Sequence, residues 1–407
     1  MKLLSSLKIS EENKMKLTKI LKLFLSVLIL TALVTTALFF FKNNRQNFNS
    51  LPDTSAEAVE LTDIGGAYKF WFSDLSNDGK HAYNLILSSI YSMPEEIEIN
   101  RIDTDTLDKV FYALMSDNPD LFFVGRRCTL RTVGIHTFFS VNYTVSKEEY
   151  TKMKTELDSV CESVAASFTD KTDLWQTELE IHDYIIDNCD YSLEDENIGS
   201  SVYGALVAGK AACEGYSKAA KLLLDAAGIE NTVITGKSES DTGPSGAHMW
   251  NVVRLNGKWY HLDCTWDDPI DESGKETKNH LYFNVNDKSI SHTHSDFSYD
   301  FGCDSLQESY FVKTGAYFES YDRSKESVLA EVLIKETQNG KDTVFFCFAD
   351  KKTFDAAVED LLSNERIYNV LKIARDSSDF GFSTVSTGYI TDETRFIFAL
   401  APQYEQE

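Results

Sequence analysis

Apolar residues recur at two different spacings along the chain, which predicts a mixture of helices and strands. Two helices are predicted where apolar residues lie three or four positions apart, at Tyr83, Ile86, Leu87 and Ile90 and at Leu107, Val110, Phe111 and Leu114 before Asn118-Pro119. Strict alternation from Thr137 to Val145 predicts a strand. Residues 147–166 and 173–188 have the pattern of two further helices.

Residues 305–407 alternate between strand and helix patterns. This stretch begins with Tyr310-Phe311-Val312 and continues through VLAEVLIKE and TVFFCFA, which both have a strand-like pattern. A helix is predicted from about Lys352 to Leu362, and TRFIFAL is the last predicted strand. The alternation predicts a small α+β region at this end of the chain.

One stretch near the N-terminus is apolar on every side. Leu23 to Phe41 carries no charge over 19 residues, which nearly spans a bilayer core at about 1.5 Å per residue. Lysines dominate residues 1–22, so the positive-inside rule predicts a cytoplasmic tail, a transmembrane helix at 23–41, a polar linker at 42–62 and an extracytoplasmic remainder. A cleaved signal peptide is the alternative, but no small-x-small site follows Phe41.

Composition and charge narrow the possible functions. The chain has 407 residues, 43% of them hydrophobic, which suits folded regions that we place at 63–170, 171–300 and 305–407. The formal net charge is −25, which argues against nucleic acid as a partner because phosphate binding needs clustered Lys and Arg. The seven cysteines include no CxxC pair, so a zinc ribbon has no support, and their odd number leaves at least one thiol free.

One cysteine lies where a helix is predicted to begin. In the stretch from Gly209 to Gly228, six apolar residues share one helical face and Gly228 stands at the position of a C-terminal cap: Tyr216, Ala219, Ala220, Leu223, Leu224 and Ala227. Cys213 is therefore at the first turn. Unpaired N–H groups and the positive end of the helix dipole favour a thiolate there, and hence a nucleophile.

A predicted hairpin brings a histidine and an aspartate together. Two alternating runs, Ala247–Leu255 and Lys258–Trp266, meet across Asn256-Gly257, a strong signal for a two-residue turn. The register that this turn sets places Trp250 opposite Asp263 and His248 opposite Thr265. His248 and Asp263 are then diagonal neighbours on one face, about 7–8 Å apart at Cα, which lets imidazole and carboxylate hydrogen-bond.

These three side chains have the chemistry of a thiol enzyme. The imidazole takes the proton of Cys213, and the carboxylate orients the ring and stabilises the imidazolium. Cys264 points to the face opposite Asp263, so packing is its expected role. His261 shares the face of Asp263 but lies nearer the turn, and a direct role is not its main interpretation.

The sequence resembles the transglutaminase-like superfamily, whose members share a papain-type Cys-His-Asp core. The resemblance rests on AACEGYSKA around Cys213, AHMWNVV with His248 and KWYHLDCTWDDP with Asp263, and it extends over roughly residues 173–295. It implies an α+β fold in which the helix that bears the cysteine packs on an antiparallel sheet that bears His248 and Asp263. It also implies that Cys213 is the nucleophile, His248 the base and Asp263 the orienting acid.

The sequence departs from the papain pattern at the oxyanion hole. Papain-type proteases carry a Gln a few residues before the nucleophile, and no Gln or Asn lies between Ile198 and Cys213. The Cys213 N–H can supply one donor, and Tyr203, Tyr191 or a Trp the second. Tyr203, Trp250 and Trp266 are predicted substrate-binding residues.

The remaining histidines have ordinary interpretations. His292 and His294, with His280, Asp287 and Asp296 nearby, lack the spacing of metal ligands, so a polar surface loop is the better interpretation. His182 lies among apolar helical neighbours, which favours packing. No metal and no cofactor are expected.

The resemblance and the predicted anchor together imply a membrane-held extracytoplasmic enzyme that acts on amide bonds through a Cys213 thioester. Transfer to water would make it a peptidase or amidase, and transfer to an amine a transglutaminase. Cell-envelope protein or cell-wall peptide is the expected substrate class. The alternative is a non-catalytic binding or scaffolding module of the same fold at the cell surface, although all three residues of the triad are present.

Overall fold

The computed structural model describes residues 68–239, 246–269 and 278–404. The predicted cytoplasmic tail, the predicted transmembrane helix at Leu23–Phe41 and the whole predicted linker at 42–62 lie outside these residues. Among the described helices, none is both long and apolar enough to cross a bilayer.

Helices and strands alternate through the described residues. The helices are α1 (Phe70–Ser73), α2 (Asn77–Ile90), α3 (Thr104–Asp117), α4 (Lys147–Ser167), α5 (Leu174–Asn188), α6 (Glu196–Gly199), α7 (Cys213–Ala226), α8 (Asp287–Ile290), α9 (Tyr310–Thr314), α10 (Glu326–Gln338), α11 (Lys351–Val358) and α12 (Ile367–Asp376). The strands are β1 (Ile97–Ile99), β2 (Val124–Val133), β3 (His136–Tyr143), β4 (Asp190–Tyr191), β5 (Lys210–Ala211), β6 (Glu230–Ser238), β7 (Gly246–Leu255), β8 (Lys258–Leu262), β9 (Phe283–Val285), β10 (His294–Ser295), β11 (Tyr317–Phe318), β12 (Val344–Phe348), β13 (Phe382–Asp392) and β14 (Ile397–Tyr404).

Three sheets organise the molecule in chain order. An antiparallel sheet β1-β3-β2 lies in the N-terminal part, a five-stranded antiparallel sheet β10-β6-β7-β8-β9 in the middle, and a sheet β11-β12-β14-β13 near the C-terminus. The short strands β4 and β5 pair in parallel beside the middle sheet. The protein is therefore α+β, as the sequence predicts.

The N-terminal helices follow from local signals in the sequence. Ser76 caps α2 and Asp103 caps α3, since each side chain accepts a hydrogen bond from a backbone N–H of the first turn. Ser146 and Glu149 form a capping box at the start of α4. The predictions of helices around residues 83–90, 107–114, 147–166 and 173–188 are confirmed.

The middle sheet carries the helix that begins at Cys213. Helix α7 packs on β6 and β7 and buries the predicted face, from Tyr216 to Leu224. Asn256 and Gly257 both have positive φ, at 50° and 81°, as the two-residue turn between β7 and β8 requires. The predicted hairpin register is confirmed from Leu255↔Lys258 to Asn251↔Leu262.

The hairpin ends earlier than predicted. Strand β8 stops at Leu262, so the expected pairs Trp250↔Asp263 and His248↔Thr265 do not form. The Asp263 carboxylate accepts the backbone N–H groups of Thr265 and Trp266, which turns the chain away from β7. A side chain that binds its own following backbone competes with the ladder, and here it ends the strand.

One strand prediction in the C-terminal region was wrong. The run VLAEVLIKE lies inside the helix α10, because Leu329, Val332, Leu333 and Glu336 fall on one buried helical face. The predicted strands in TVFFCFA and TRFIFAL correspond to β12 and β14, and the predicted helix after Lys352 corresponds to α11 and a following π-helical turn.

Candidate active site

Cys213 is the first residue of α7 and is half-buried. Strand β5 leads into it and is held beside Tyr191 by the pair Tyr191↔Ala211. A Cβ on Gly215 would lie 2.6 Å from the Ala211 Cβ and 2.6 Å from the Gly199 carbonyl oxygen, so only glycine allows the helix start to sit this close to its support. The cysteine therefore stands on a rigid, tightly packed helix N-terminus.

His248 lies in β7 between this cysteine and the carboxylate. Its Nε2 is 2.6 Å from Asp263 Oδ2, and the same imidazole lies near enough to Cys213 for the two groups to interact electrostatically. Because Nε2 faces the carboxylate, Nδ1 is the nitrogen left for the sulfur. The structure thus brings Cys213, His248 and Asp263 together in the order that proton transfer requires.

Charge interactions favour a protonated His248. Burial opposes the imidazolium, but Asp263 and Cys213 outweigh it and raise the pKa of His248 to about 10. Burial also opposes ionisation of Asp263, yet His248 and His294 hold the pKa of its carboxyl well below the usual range. Asp263 is therefore an anion throughout the neutral range, and its charge stabilises the imidazolium.

The Asp263 carboxylate has donors on both oxygens. Oδ1 accepts the backbone N–H of Thr265 at 3.0 Å and of Trp266 at 3.2 Å. Oδ2 accepts from His248 and also from His294 Nε2, at 3.0 Å. The four contacts fix the carboxylate plane and direct one oxygen at the ring of His248.

His294 is a functional candidate that the sequence interpretation missed. It was predicted to lie in a polar surface loop, but it belongs to β10, pairs with Ser238 of β6 and is 2% exposed. Burial lowers the pKa of His294 despite the adjacent carboxylate, so this ring is neutral and donates through Nε2. His292, two positions earlier, is exposed as predicted. No spacing rule links position 294 to position 263, because a strand pairing across the sheet brings them together.

A chain of hydrogen bonds continues from His294 into the C-terminal region. Thr293 Oγ1 is 2.8 Å from His294 Nδ1, and the Tyr282 hydroxyl is 3.1 Å from Thr293 Oγ1. Arg395, in the turn between β13 and β14, donates from Nη1 to the Tyr282 oxygen at 3.1 Å. Because His294 Nε2 carries its proton, each hydroxyl in this chain can donate toward His294. We call Arg395, Tyr282, Thr293 and His294 the relay.

Trp250 does not line a cleft, which corrects the prediction. Its side chain is fully buried, and its ring stacks on His248 with centroids 5.8 Å apart and planes 16° apart. Trp250 Nε1 donates to His261 Nδ1 at 3.0 Å, and His261 Nε2 lies 2.8 Å from Asp287 Oδ1. Trp250 thus supports His248 on the same face of β7, and His261 holds the Trp250 ring in place.

The other predicted substrate-binding residues differ in their surroundings. Trp266 is half-buried and meets His248 edge to face, with centroids 6.3 Å apart. The Tyr203 hydroxyl donates to Glu156 of α4 at 2.6 Å, so its proton is already used in a hydrogen bond. Tyr191 lies close enough for its charge state to interact with those of Cys213 and Asp263, and burial holds its pKa far above the usual range. A phenol that stays neutral at neutral pH within electrostatic reach of Cys213 can donate a hydrogen bond.

The loop that follows Asp263 is held to two helices by the carboxylates of Asp267 and Asp268. Asp267 Oδ2 is 3.1 Å from His182 Nε2 on α5, and Asp268 Oδ2 accepts the Tyr216 hydroxyl of α7 at 2.6 Å. Against the effect of burial, Asp183 and Asp267 raise the pKa of His182 to about 9. The histidine predicted only to pack is thus a buried partner in an ion pair. Cys264, by contrast, is buried as predicted, and burial raises its pKa well above the usual value.

Three clusters in the described residues have atoms close enough to one another to hold a metal ion: His182, Asp183 and His280; His248, Asp263 and His294; and His261, Asp287 and Cys303. In the first, both ring nitrogens of His182 already face carboxylates. In the second, both imidazoles donate to one oxygen. In the third, His261 Nδ1 accepts from Trp250, so Nε2 carries the proton. Protein hydrogen bonds thus account for the histidines of each cluster.

A comparison with protein families agrees with this geometry. Residues 158–264 match the model of the transglutaminase-like superfamily. The chain contains a transglutaminase-like domain. The matched range includes Cys213, His248 and Asp263, whereas His294 and the rest of the relay lie beyond it. The resemblance inferred from the three sequence motifs is confirmed.

Searches against whole proteins gave weaker similarities. No curated protein matches the sequence. A solved structure described as a TGase shares 17% identity over 48% of this chain and 56% of its own, with a TM-score of 0.25. A candidate cysteine protease from Cytophaga hutchinsonii shares 11% identity over 34% of this chain and 61% of its own, with a TM-score of 0.24. A candidate protease from Parabacteroides distasonis shares 11% identity over 38% and 39%, with a TM-score of 0.21. This chain spans less than two thirds of each of these proteins.

Proposed function

We propose that this protein is a cysteine-dependent enzyme that cleaves amide bonds through a thioester on Cys213. The observation that carries the proposal is the placement of His248, whose imidazole contacts the carboxylate of Asp263 and lies within electrostatic reach of the thiol of Cys213. Such a contact activates a nucleophile and holds a proton where a leaving amine can collect it. In the transglutaminase-like domain, this set of residues supports acyl transfer.

The reaction would proceed in two balanced halves. The Cys213 sulfur attacks the amide carbon while its proton resides on His248, and the tetrahedral intermediate collapses as His248 protonates the departing amine. The result is a thioester and a neutral imidazole. His248 then accepts a proton from an incoming water or amine, which attacks the thioester carbonyl. The C–S bond breaks, the acyl group leaves as a carboxylic acid or a new amide, and the thiolate of Cys213 remains beside the imidazolium of His248, as at the start.

Stabilisation of the oxyanion requires donors near the attacked carbon. The backbone N–H of Cys213 is at the first position of α7, at the positive end of the helix dipole, and can supply one donor. We assign the second donor to Tyr191, because its neutral phenol lies within electrostatic reach of Cys213 while the Tyr203 hydroxyl is bonded to Glu156. This tyrosine takes the place of the Gln that papain-type proteases use.

The proposed substrate class follows from the proposed position of the enzyme in the cell, and the acceptor is left to the chemistry of the thioester. We propose that the helix predicted at Leu23–Phe41 holds the enzyme on the outer face of the cell membrane, where cell-envelope protein and cell-wall peptide are the available amides. Water and primary amines can both attack a thioester, so the chemistry of the triad allows hydrolysis and cross-linking alike.

Two measurements test this proposal. The first is the rate of alkylation by iodoacetamide, which should be fastest at Cys213 and should fall in His248→Ala. Cys161 is an internal control, because it is also half-buried but burial raises the pKa of its thiol to about 11. Equal and slow labelling of both cysteines would indicate a binding module instead of an enzyme.

The second measurement separates the acceptors. Glutamine-containing and plain peptides are supplied with and without a primary amine, and released ammonia, cleaved peptide and amine adducts are followed by mass spectrometry. Adducts that require the amine identify a transglutaminase, and cleavage without it identifies a peptidase. Product formation that persists in Cys213→Ala would refute the thioester.

A further inference from the structure

Arg126 reaches from the N-terminal sheet to the helix that bears Cys213. Its Nη2 donates to Glu214 Oε2 at 2.5 Å and also to the Ser200 hydroxyl. Its Nη1 is 3.5 Å from Glu196 Oε1, at the start of α6. Glu214 directly follows the nucleophile in α7. Strand β2, which lies before the residues that match the transglutaminase-like family model, thus places a guanidinium beside the candidate active site.

Arg126 lies at an irregularity in β2. Three residues of this strand, 125–127, stand opposite Asn142 alone, where the pairing with β3 shifts. A Cβ on Gly125 would lie 2.8 Å from the Asn142 carbonyl oxygen, so only glycine allows the two strands to stay this close. A bulge of this kind re-aims a side chain, which accounts for the direction of Arg126 toward α7.

Both oxygens of the Glu214 carboxylate are bound by cations. Lys218, one turn later in α7, donates to Oε1 at 2.8 Å, and Arg126 donates to Oε2. Burial opposes ionisation of Glu214, but Lys218 and Arg126 outweigh it and lower the pKa of its carboxyl. Glu214 is therefore an anion at neutral pH, one residue away from Cys213.

The charges of these four side chains balance. Arg126 and Lys218 supply two positive charges, and Glu214 and Glu196 supply two negative ones. Loss of the guanidinium would leave one positive charge with two carboxylates. A carboxylate that is incompletely offset beside Cys213 opposes negative charge on the sulfur.

We propose that Arg126 is a positioning residue of the active site, which neutralises the Glu214 carboxylate so that the sulfur of Cys213 can carry negative charge. The role depends on the function proposed for Cys213, and it makes the N-terminal sheet a part of the enzyme. Lys218 belongs to the same helix as Cys213, whereas Arg126 comes from outside the residues that match the family model. Arg126 acts through Glu214, so it needs no contact with the reacting atoms.

Alkylation of Cys213 by iodoacetamide at neutral pH tests the proposal in the full chain. The reagent is small and uncharged, so its rate reports how readily the sulfur carries negative charge. We expect Arg126→Gln to slow alkylation about twofold to fivefold, the factor that a partly exposed ion pair contributes. Arg126→Lys keeps the positive charge and should retain most of the rate. Peptide mapping by mass spectrometry assigns the label to Cys213.

A second variant separates neutralisation from mechanical support of the helix. In Arg126→Gln combined with Glu214→Gln, the carboxylate is gone as well, so the rate should return to at least about half of its unaltered value. A guanidinium that only held the start of α7 in place would still be missing from the double variant, and the rate would stay low.

Arg131→Gln is the matched control. Arg131 belongs to the same strand and makes a 2.5 Å ion pair with Glu96, in which both side chains are about half exposed. The substitution therefore breaks a similar pair without changing the charge around Glu214, and alkylation of Cys213 should keep its unaltered rate.

The outcomes separate this role from the proposed function. If alkylation of Cys213 is fast and falls in His248→Ala, the proposed function stands. The role of Arg126 is then overturned by an unchanged rate in Arg126→Gln, by an equal loss in Arg131→Gln, or by a double variant that does not recover. Slow alkylation of Cys213 in the unaltered protein would overturn both.

Discussion

His294 donates a hydrogen bond to Asp263 through Nε2, on the same oxygen that faces His248. The two rings differ in charge, because His248 is held as an imidazolium and His294 is kept neutral by burial. One carboxylate oxygen therefore receives a charged donor on one side and a neutral donor on the other. The neutral ring cannot compete with His248 for the negative charge, but it can hold the carboxylate in place.

We expect His294→Phe to lower kcat/KM roughly tenfold, since it removes one hydrogen bond to an ionised group. The substrate constant KM should change little, because His294 lies behind the carboxylate and away from Cys213. In His294→Gln, an amide N–H can replace the lost donor, and much of the activity should return. Steady-state kinetics of the two variants checks this, and equal loss in both would point to packing alone.

Activity should persist to unusually alkaline pH. The pKa of His248 is raised to about 10, so the imidazolium that protonates the leaving amine is present below that pH and is lost as pH rises through it. Asp263→Asn removes the larger of the two contributions that raise this pKa, while burial still lowers it. The alkaline limb of kcat/KM should therefore move down by roughly one to three pH units.

Asp267→Asn is the matched control for that shift. Asp267 lies four positions after Asp263 and faces His182, so the same change of carboxylate to amide should leave the alkaline limb in place. The measurement is the pH dependence of kcat/KM for the unaltered protein, Asp263→Asn and Asp267→Asn. An alkaline limb that stays put in Asp263→Asn would contradict the assignment of His248.

The triad was predictable because each of its parts follows from local rules. Gly228 and the apolar face fix the start of α7 near Cys213, and Asn256-Gly257 fixes the hairpin register. A longer turn would have changed the register of the two strands and misplaced the predicted site. Within the hairpin, the prediction was wrong where β8 ends, since the Asp263 side chain accepts hydrogen bonds from the backbone that follows it.

The relay could not be predicted because its members are far apart in sequence and meet only in the folded chain. His294 reaches Asp263 through the pairing of β10 with β6, and Arg395 reaches Tyr282 from a turn in another sheet. Contacts between residues distant in sequence also explain why Trp250 was wrongly predicted to bind substrate. Alternation placed it on a face of β7, but the packing of β10 and Phe297 over that face decides that it is buried.

Tyr191→Phe should lower kcat by roughly a hundredfold if its hydroxyl stabilises the oxyanion, with KM little changed. The donor acts on charge that develops only in the transition state, so ground-state binding does not need it. Tyr203→Phe is the control, because that hydroxyl donates to Glu156, and its kcat should stay within about twofold. Rates at saturating substrate distinguish the two, and a similar loss in both would reject Tyr191 as the donor.

Gly236→Ala should disturb the support of His248. Gly236 pairs with His248 across β6 and β7, and a Cβ there would lie 2.7 Å from the indole ring of Trp250 and 2.6 Å from the Ser295 carbonyl oxygen. Crowding of this kind costs about 1–3 kcal/mol in the free energy of unfolding. Urea denaturation measures it, with Gly381→Ala as a control, since a Cβ at Gly381 meets no atom within 4 Å. Equal stability of the two variants would contradict this packing.

The relay predicts that Tyr282 and His294 act on the reaction together. Tyr282→Phe removes the hydroxyl that links Arg395 to Thr293, so His294 loses the polarised donor behind it, and kcat should fall by about threefold to tenfold. In a background that already carries His294→Phe, the hydrogen bond to Asp263 is gone and the same change should have almost no further effect. A double-mutant cycle on kcat measures this coupling. Effects that simply multiply would mean that Tyr282 acts through the local packing of Trp266, and not through the carboxylate of Asp263.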